Sequence, residues 1–230
     1  MYQILRQLDV DFILRSGTVD LDSLNWMVTS PFIKIVMEKG LDRDSKLIDF
    51  GSHIGSWALP LVKHFGCRAW CFEPDKHSLL LSRASAVLNQ LDDRMTFIQA
   101  GIGGHDGVVT LYESDENWGH TLVKGGGPYN RLTGNSVEIQ LLSLASALDT
   151  VSGAGKTVAK VNIEGAEHEM FLESSLQTIL RVDLWVGEIH LDLGRTDFNS
   201  CIKKFEASGF CVRIIHSSVT ARMVLVACKA

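Results

Sequence analysis

The stretch KLIDFGSHIG, residues 46–55, carries the pattern that decides the fold. A short apolar run, residues 46–50, leads into a glycine-containing turn, and the residues that follow it to position 65 have helical spacing. We therefore predict a strand, a tight turn and a helix. Ligands bind beyond the carboxyl ends of the strands in an open α/β sheet, so this turn is expected at a ligand site.

The strand–helix rhythm continues along the chain. Further strands are expected at residues 68–73, 95–99, 158–163 and 184–190, and helices begin at Pro74, at about residue 166 (to 180) and at residue 197 (to 208). Such alternation in short units indicates parallel pairing with right-handed crossovers. The last two strands, residues 210–215 and 223–228, are expected to close the sheet as an antiparallel pair.

Two segments depart from this rhythm. Residues 108–113 and 137–142 look like strands without an intervening helix and are predicted as an inserted β-hairpin around a long loop, residues 114–135. A loop of that length in a compact domain is usually functional, and we expect a mobile lid over an acceptor pocket. Residues 20–40 have helical spacing interrupted by Pro31 and are predicted as an amino-terminal helical cap outside the sheet.

Composition limits the classes of protein. The chain has 230 residues, 46% of them hydrophobic, and a net charge of −5, which predicts one globular domain, with a cap region at residues 1–44 and a core at 45–230. This charge does not favour nucleic acid or an anionic membrane as the partner. The five cysteines are scattered and the amino terminus lacks a secretory pattern, so we expect reduced thiols and a cytoplasmic location.

The first turn supplies most of the candidate cofactor ligands. They are Asp49, Gly51, Ser52, His53 and Gly55. A dinucleotide fold needs G-x-G-x-x-G, but His53 and Ser56 occupy two of the three glycine positions, which disfavours a nicotinamide oxidoreductase. An acid followed by glycine suits a ligand with a positive charge and no phosphate. S-adenosylmethionine, with an ammonium group and a sulfonium, is such a ligand.

The next two strand ends extend the same site. Glu73 follows the second predicted strand, where a carboxylate can accept hydrogen bonds from both ribose hydroxyls of an adenosine. Gln99, Ala100 and Ile102 follow the third, where adenine is expected, with an amide from Gln99 and an apolar face from Ile102.

These residues resemble the FkbM family of class I S-adenosylmethionine-dependent methyltransferases. The resemblance covers residues 46–190 and is carried by LIDFGSHIG, by FEP at 72–74 and by KVNIEGAE at 160–167. It implies a Rossmann-like sheet of seven strands with helices on both faces, and O-methylation of a small molecule such as a polyketide, a macrolide or a sugar. Two residues depart from the family pattern: His53 stands where asparagine is usual, and Asn162 where aspartate is usual.

The candidate catalytic residues follow two strands. Asn162 and Glu164 come after one, and Glu188 and His190 end the other. Histidine titrates near neutral pH, so His190 is predicted as the general base, oriented by Glu188 on the same side of the strand, with Glu164 as the next choice. Glu164, Glu188 and His190 together could hold Mg²⁺, but their spacing alone does not establish convergence, and we expect no metal.

The sequence therefore predicts an enzyme of natural product biosynthesis that transfers a methyl group from S-adenosylmethionine to a small hydroxylated acceptor. The alternative is a catalytically inactive, methyltransferase-like module that binds a nucleoside ligand. Asn162 and His53 are the two departures that keep this alternative open.

Overall fold

A computed structural model describes residues 1–126, 131–191, 198–216 and 222–229. Within these ranges the strands, in chain order, are β1 (Tyr2–Gln7), β2 (Val10–Arg15), β3 (Lys46–Phe50), β4 (Arg68–Phe72), β5 (Met95–Ile98), β6 (Gly101–Gly103), β7 (Gly107–Ser114), β8 (Leu132–Ser143), β9 (Thr157–Val161), β10 (Leu184–His190), β11 (Phe210–His216) and β12 (Arg222–Lys229). The helices are α1 (Asp20–Thr29), α2 (Pro31–Lys39), α3 (Ala58–Phe65), α4 (Lys76–Leu88), α5 (Leu144–Asp149), α6 (Glu167–Glu173), α7 (Leu176–Ile179) and α8 (Phe198–Ala207).

The predicted open sheet is confirmed, with the strand order β11-β12-β10-β9-β3-β4-β5. The strands from β10 to β5 are parallel neighbours, and β12 runs antiparallel between β10 and β11. The antiparallel closing pair is therefore confirmed as well. Strand β3 lies between β4 and β9 and is parallel to both, so the carboxyl ends of these three strands meet at one edge of the sheet.

Helices cover both faces of the sheet because alternate residues of each central strand point to opposite sides. Leu47 packs into an apolar cluster with residues of α1–α4, and its neighbour Ile48 packs into a second cluster with residues of α5–α8. No helix among the described residues is long and apolar enough to cross a membrane.

The single helix predicted at residues 166–180 is wrong: Ser174 and Ser175 are extended, and Ser175 caps a separate α7.

The amino-terminal region differs from the helical cap that was predicted. Helices α1 and α2 are present, but an antiparallel hairpin, β1–β2, precedes them. Strand β2 alternates between buried and half-buried residues, with Val10, Phe12 and Leu14 fully buried. This period of two is the signal that the prediction overlooked. The hairpin docks on α4: the Asn89 amide exchanges two hydrogen bonds with the backbone of Asp11, at 2.9 and 2.8 Å.

The inserted hairpin is confirmed as β7 and β8, and both strands are longer than predicted. A third strand, β6, pairs in parallel with β8 and was not predicted. The long loop at residues 114–135 is partly wrong, because β8 already begins at Leu132 and a bridge between Tyr112 and Thr121 folds the intervening chain back. Residues 127–130 of the predicted lid lie outside the described ranges. Its mobility stays a prediction.

Replacing Asn89 with alanine should destabilise the protein by loosening the hairpin. The substitution leaves the Asp11 N–H and C=O without their partners, and an unsatisfied buried group costs about 1–3 kcal/mol. We expect a lower midpoint in urea and a lower melting temperature for Asn89→Ala. The matched control is Asn135→Ala, at an exposed asparagine of β8. Equal stabilities of the two variants would contradict this account of how the hairpin is held.

Candidate active site

A cavity of about 310 Å³ lies at the carboxyl ends of β3, β4 and β9. Its floor is formed by the turns that follow these strands. Its walls come from α1, from the segment between β7 and β8, and from the first residue of β12. The cavity is therefore at the position predicted for a ligand site, but three of its walls come from chain segments outside the strand–turn motifs.

The turn after β3 contributes Gly51, Ser52 and His53 to the cavity. Gly51 has a φ of 75°, and an added Cβ would lie 1.9 Å from the backbone oxygen of Asn162. Only glycine fits this close approach of two loops. The turn after β3 and the segment after β9 are therefore packed together as one surface.

Three of the predicted cofactor ligands do not reach the cavity. Asp49 is fully buried, and its Oδ1 lies 3.0 Å from the Nζ of Lys160, so it faces a lysine of the protein instead of a bound cation. Burial raises the pKa of Asp49, although the charge of Lys160 opposes that shift. Gly55 packs against α4, where an added Cβ would lie 2.4 Å from Ser82 Oγ. Gln99 is exposed, which leaves Ala100 and Ile102 as the lining residues of that turn.

Glu73 lies in the cavity wall at the end of β4, where the sequence predicted it. Its two carboxylate oxygens accept hydrogen bonds from the backbone N–H groups of His53 and Asp75, at 2.8 and 2.9 Å. These bonds hold the carboxylate in place. Burial nevertheless raises the pKa of Glu73 to about 7. A ligand that donates two hydroxyl hydrogen bonds would favour the ionised form.

His53 is held as a neutral imidazole. Its Nε2 lies 3.3 Å from Nη2 of Arg15 and 3.5 Å from Asp20 Oδ1, and its Nδ1 lies 3.2 Å from Ser23 Oγ. Burial lowers the pKa of His53 to about 4, against the raising effect of the Asp20 carboxylate. His53, which stands where the family usually has asparagine, thus joins the turn after β3 to the amino-terminal region.

The four predicted catalytic residues do not all reach the cavity. Asn162, Glu164 and Glu188 line it, whereas His190 is fully buried behind them. His190 Nδ1 lies 2.9 Å from Glu167 Oε1, and its Nε2 lies 3.4 Å from Glu164 Oε1 and 3.8 Å from Glu188 Oε2. Residues 188 and 190 are close to each other, as predicted, and Glu188 is the one that lines the cavity.

The charges in this cluster favour a cationic His190. Burial alone would lower the pKa of His190, but the carboxylates of Glu164 and Glu167 outweigh it and raise the pKa well above its usual value. A protonated imidazole has no lone pair with which to accept a proton. Burial raises the pKa of Glu188, against the positive charges of His190 and Arg222. Glu188 is thus the titratable group of the pair that faces the cavity.

Trp118 lines the cavity from the segment after β7, within the predicted lid, whereas Trp26, Met27 and Arg222 escaped the sequence analysis. Trp26 and Met27 enter from α1. Arg222, the first residue of β12, lies 5.5 Å from the ring centroid of Trp118 and 3.4 Å from Glu188 Oε2. Neither the two α1 residues nor Arg222 stand in a motif at a strand end, so no local pattern marked them. The long-range fold alone brings them to the cavity.

Several cavity residues offer groups suited to S-adenosylmethionine. Among the described residues, no group of three or more histidine, cysteine, aspartate or glutamate side chains is arranged to hold a metal ion. Two buried polar atoms of cavity residues, Ser52 Oγ and Asn162 Oδ1, have no hydrogen-bond partner within the described chain. These two atoms could bind the charged amino-acid end of the cofactor. Glu73 could then bind the ribose, and Ala100 and Ile102 could contact the adenine.

Sequence comparison identifies the family. The model of the methyltransferase FkbM domain matches residues 49–211, which is more than half of the chain. The chain belongs to the FkbM methyltransferase family. No curated protein matches this FkbM methyltransferase significantly in sequence.

Solved structures similar to this FkbM methyltransferase share its fold. The precorrin-6y C5,15-methyltransferase of Geobacter metallireducens has a TM-score of 0.50 at 11% identity, with 95% of this chain and 94% of that one covered. The tRNA (uracil-54, C5)-methyltransferase of Pyrococcus abyssi, solved with S-adenosyl-L-homocysteine, has a TM-score of 0.50 at 14% identity, with 98% of this chain and 43% of that one covered. The complex of aTrm5 with tRNALeu has a TM-score of 0.51 at 13% identity, with 98% of this chain and 51% of that one covered. The chain spans about half the length of the last two of these solved chains.

The raised pKa of Glu73 predicts a pH dependence of stability. The folded state holds this proton up to about pH 7, while the unfolded chain releases it near 4.5, so on account of this group the ligand-free protein should lose stability as pH rises between these values. The contribution is about 3 kcal/mol. The lowered pKa of His53 acts in the opposite direction over much of this range, so the contribution of Glu73 is measured as the difference in stability between the wild type and Glu73→Gln in urea titrations. The stability of the wild type relative to Glu73→Gln should fall as pH rises from 4.5 to 7, and a difference that stays constant or grows across the window would contradict the assignment.

Proposed function

We propose that this FkbM methyltransferase uses S-adenosylmethionine to methylate a hydroxyl oxygen of a small metabolite, of the polyketide, macrolide or sugar type. The observation that carries the proposal is that Glu188, a buried carboxylate with a raised pKa, lines the same cavity as the cofactor candidates Ser52 and Glu73. One cavity thus offers a cofactor site and a proton acceptor. The enclosing walls of α1 and the β7–β8 segment favour a small acceptor.

The chemistry follows from the placement of these groups. When bound, S-adenosylmethionine supplies an electrophilic methyl group on a sulfonium and leaves as S-adenosylhomocysteine. The cavity would hold the acceptor oxygen against the methyl group, and such positioning is the main contribution expected of the protein. Glu188 takes the hydroxyl proton as the oxygen–carbon bond forms. Its pKa above the usual value for glutamate makes it a better base than an exposed carboxylate.

Arg222 and His190 hold Glu188 from two sides. The Arg222 Nη1 lies 3.4 Å from Glu188 Oε2, and the His190 Nε2 lies 3.8 Å from the same oxygen. Both cations favour the carboxylate form of Glu188 and so oppose the rise in its pKa that burial causes. In this scheme His190 assists Glu188, which reverses the order of roles expected from the sequence.

Cofactor binding and methyl transfer test the proposal directly. S-adenosylhomocysteine should raise the melting temperature and NAD should not, because a ligand at a hundred times its dissociation constant adds about 2.7 kcal/mol. Radiolabelled S-adenosylmethionine should then transfer its methyl group to one or more members of a panel of polyketide, sugar and phenolic alcohols. An RNA arm belongs in the same panel. Labelling of RNA alone would overturn the small acceptor, and binding without any transfer would favour the inactive module.

Single substitutions at residues 188 and 190 test which of the two side chains is the base. Glu188→Gln should lower kcat by about 10²–10⁴-fold, with the affinity for S-adenosylhomocysteine nearly unchanged. His190→Gln removes a positive charge, so it should move the acidic inflection of the kcat profile to higher pH without abolishing it. The matched control is Glu138→Gln, at an exposed residue of β8. Loss of the inflection in His190→Gln, with normal turnover by Glu188→Gln, would restore His190 as the base.

A further inference from the structure

Arg15, the last residue of β2, connects the amino-terminal hairpin to the cofactor side of the sheet. Its guanidinium pairs with the fully buried Asp20 through two bonds, Nε to Oδ2 at 2.9 Å and Nη2 to Oδ1 at 2.8 Å. The same Nη2 lies 3.0 Å from Ser78 Oγ on α4 and 3.3 Å from His53 Nε2. A planar guanidinium can reach several partners at once, which a lysine ammonium cannot do with the same geometry.

His53 carries this connection into the cofactor turn. Its ring is held on one side by Arg15 and on the other by Ser23 Oγ. Its backbone has a φ of 48°, in the left-handed region that residues other than glycine rarely adopt. In that conformation its N–H points at Glu73 and donates to Oε2 at 2.8 Å. The ring contacts therefore hold a backbone conformation on which the position of the Glu73 carboxylate depends.

We propose that Arg15 is a positioning residue for cofactor binding, which acts through His53 on the carboxylate of Glu73. Arg15 does not line the cavity, so it affects the cofactor only through its neighbours. The inference rests on the proposed S-adenosylmethionine site, because Glu73 is there the ribose ligand. It assigns a cofactor-positioning role to a residue outside the family match, which begins at residue 49.

The hairpin has other attachments, so Arg15 is not needed merely to dock it. Val10, Phe12 and Leu14 are fully buried against the core, and the backbone of Ile13 donates to Ser85 Oγ at 2.9 Å. The guanidinium of Arg15 is the group that reaches from the hairpin to His53. A loss of Arg15 should therefore disturb the turn at residue 53 more than the hairpin as a whole.

A double-mutant cycle with Glu73 distinguishes positioning from a general loss of stability. Calorimetry with S-adenosylhomocysteine is carried out on the full-length wild type, Arg15→Gln, Glu73→Ala and the double variant. Because Arg15 acts only through the position of Glu73, its loss can cost at most what the Glu73 carboxylate contributes, which is about tenfold to a hundredfold in affinity for hydrogen bonds to a charged acceptor. We expect Arg15→Gln to weaken affinity by about tenfold in the wild-type background. In the Glu73→Ala background the same change should have less than about a twofold effect, because the group through which it acts is gone.

The matched control is Arg6→Gln, at an arginine of the same hairpin that pairs with Asp11 in an exposed position. This variant should bind S-adenosylhomocysteine as the wild type does. Arg15→Lys serves as the second variant if Arg15→Gln fails to fold. This variant keeps the positive charge beside Asp20, so we expect it to fold. It loses the planar guanidinium that reaches several partners at once, so we expect it to bind S-adenosylhomocysteine about threefold or more weakly.

Each outcome supports or overturns the inference. Equal losses of affinity in the two backgrounds would show that Arg15 acts independently of Glu73 and would overturn it. An unchanged affinity in folded Arg15→Gln or Arg15→Lys would do the same. A wild type that does not bind S-adenosylhomocysteine would overturn the proposed cofactor and this inference together, whereas wild-type binding with an additive cycle would overturn this inference alone.

Discussion

A buried ion pair between Asp49 and Lys160 holds together the two strands on which the site is built. The two residues are directly opposite in the parallel pair β3–β9, with 3.0 Å between Oδ1 and Nζ. The lysine also donates to the backbone oxygen of Gly51 at 2.6 Å, and so ties the first turn to the neighbouring strand. Breaking a buried pair on one side leaves an uncompensated charge, which strongly destabilises a fold. The pair thus joins β3 to β9 beside the turn in which Gly51 closely approaches Asn162.

A second group of charges determines which acid at the sheet edge is available for chemistry. The imidazole of His190 lies within 4 Å of the carboxylates of Glu164, Glu167 and Glu188. Glu167 is in turn fixed by the backbone N–H groups of residues 163 and 165, each donating at 3.0 Å. In this arrangement the histidine becomes a buried counter-ion, and Glu188 is left facing the cavity. The same residue types in a solvated cluster would give the opposite assignment, because the pKa of histidine would then lie near neutrality.

The amino-terminal region is part of the site and not a separate cover. Helix α1 contributes Ser23, Trp26 and Met27 to the cavity, and the Ser23 hydroxyl also holds the ring of His53. The turn after β3 and the α1 wall of the cavity are thereby joined through one side chain. A histidine at position 53 suits this task, since its two ring nitrogens can serve two partners at the same time, whereas the shorter asparagine usual in the family does not reach as far.

The sequence by itself determined the α/β rhythm, the turn at residues 51–55 and the place of Glu73, because each depends on local periodicity or on a glycine within a few positions. It also led to the family. The amino-terminal hairpin could have been recognised from the alternation in β2. Local patterns do not report the direction of a side chain or its burial by distant segments. The tertiary structure alone therefore decided that Asp49 faces Lys160, that His190 is enclosed among three carboxylates, and that Arg222 enters the cavity from the far end of the chain.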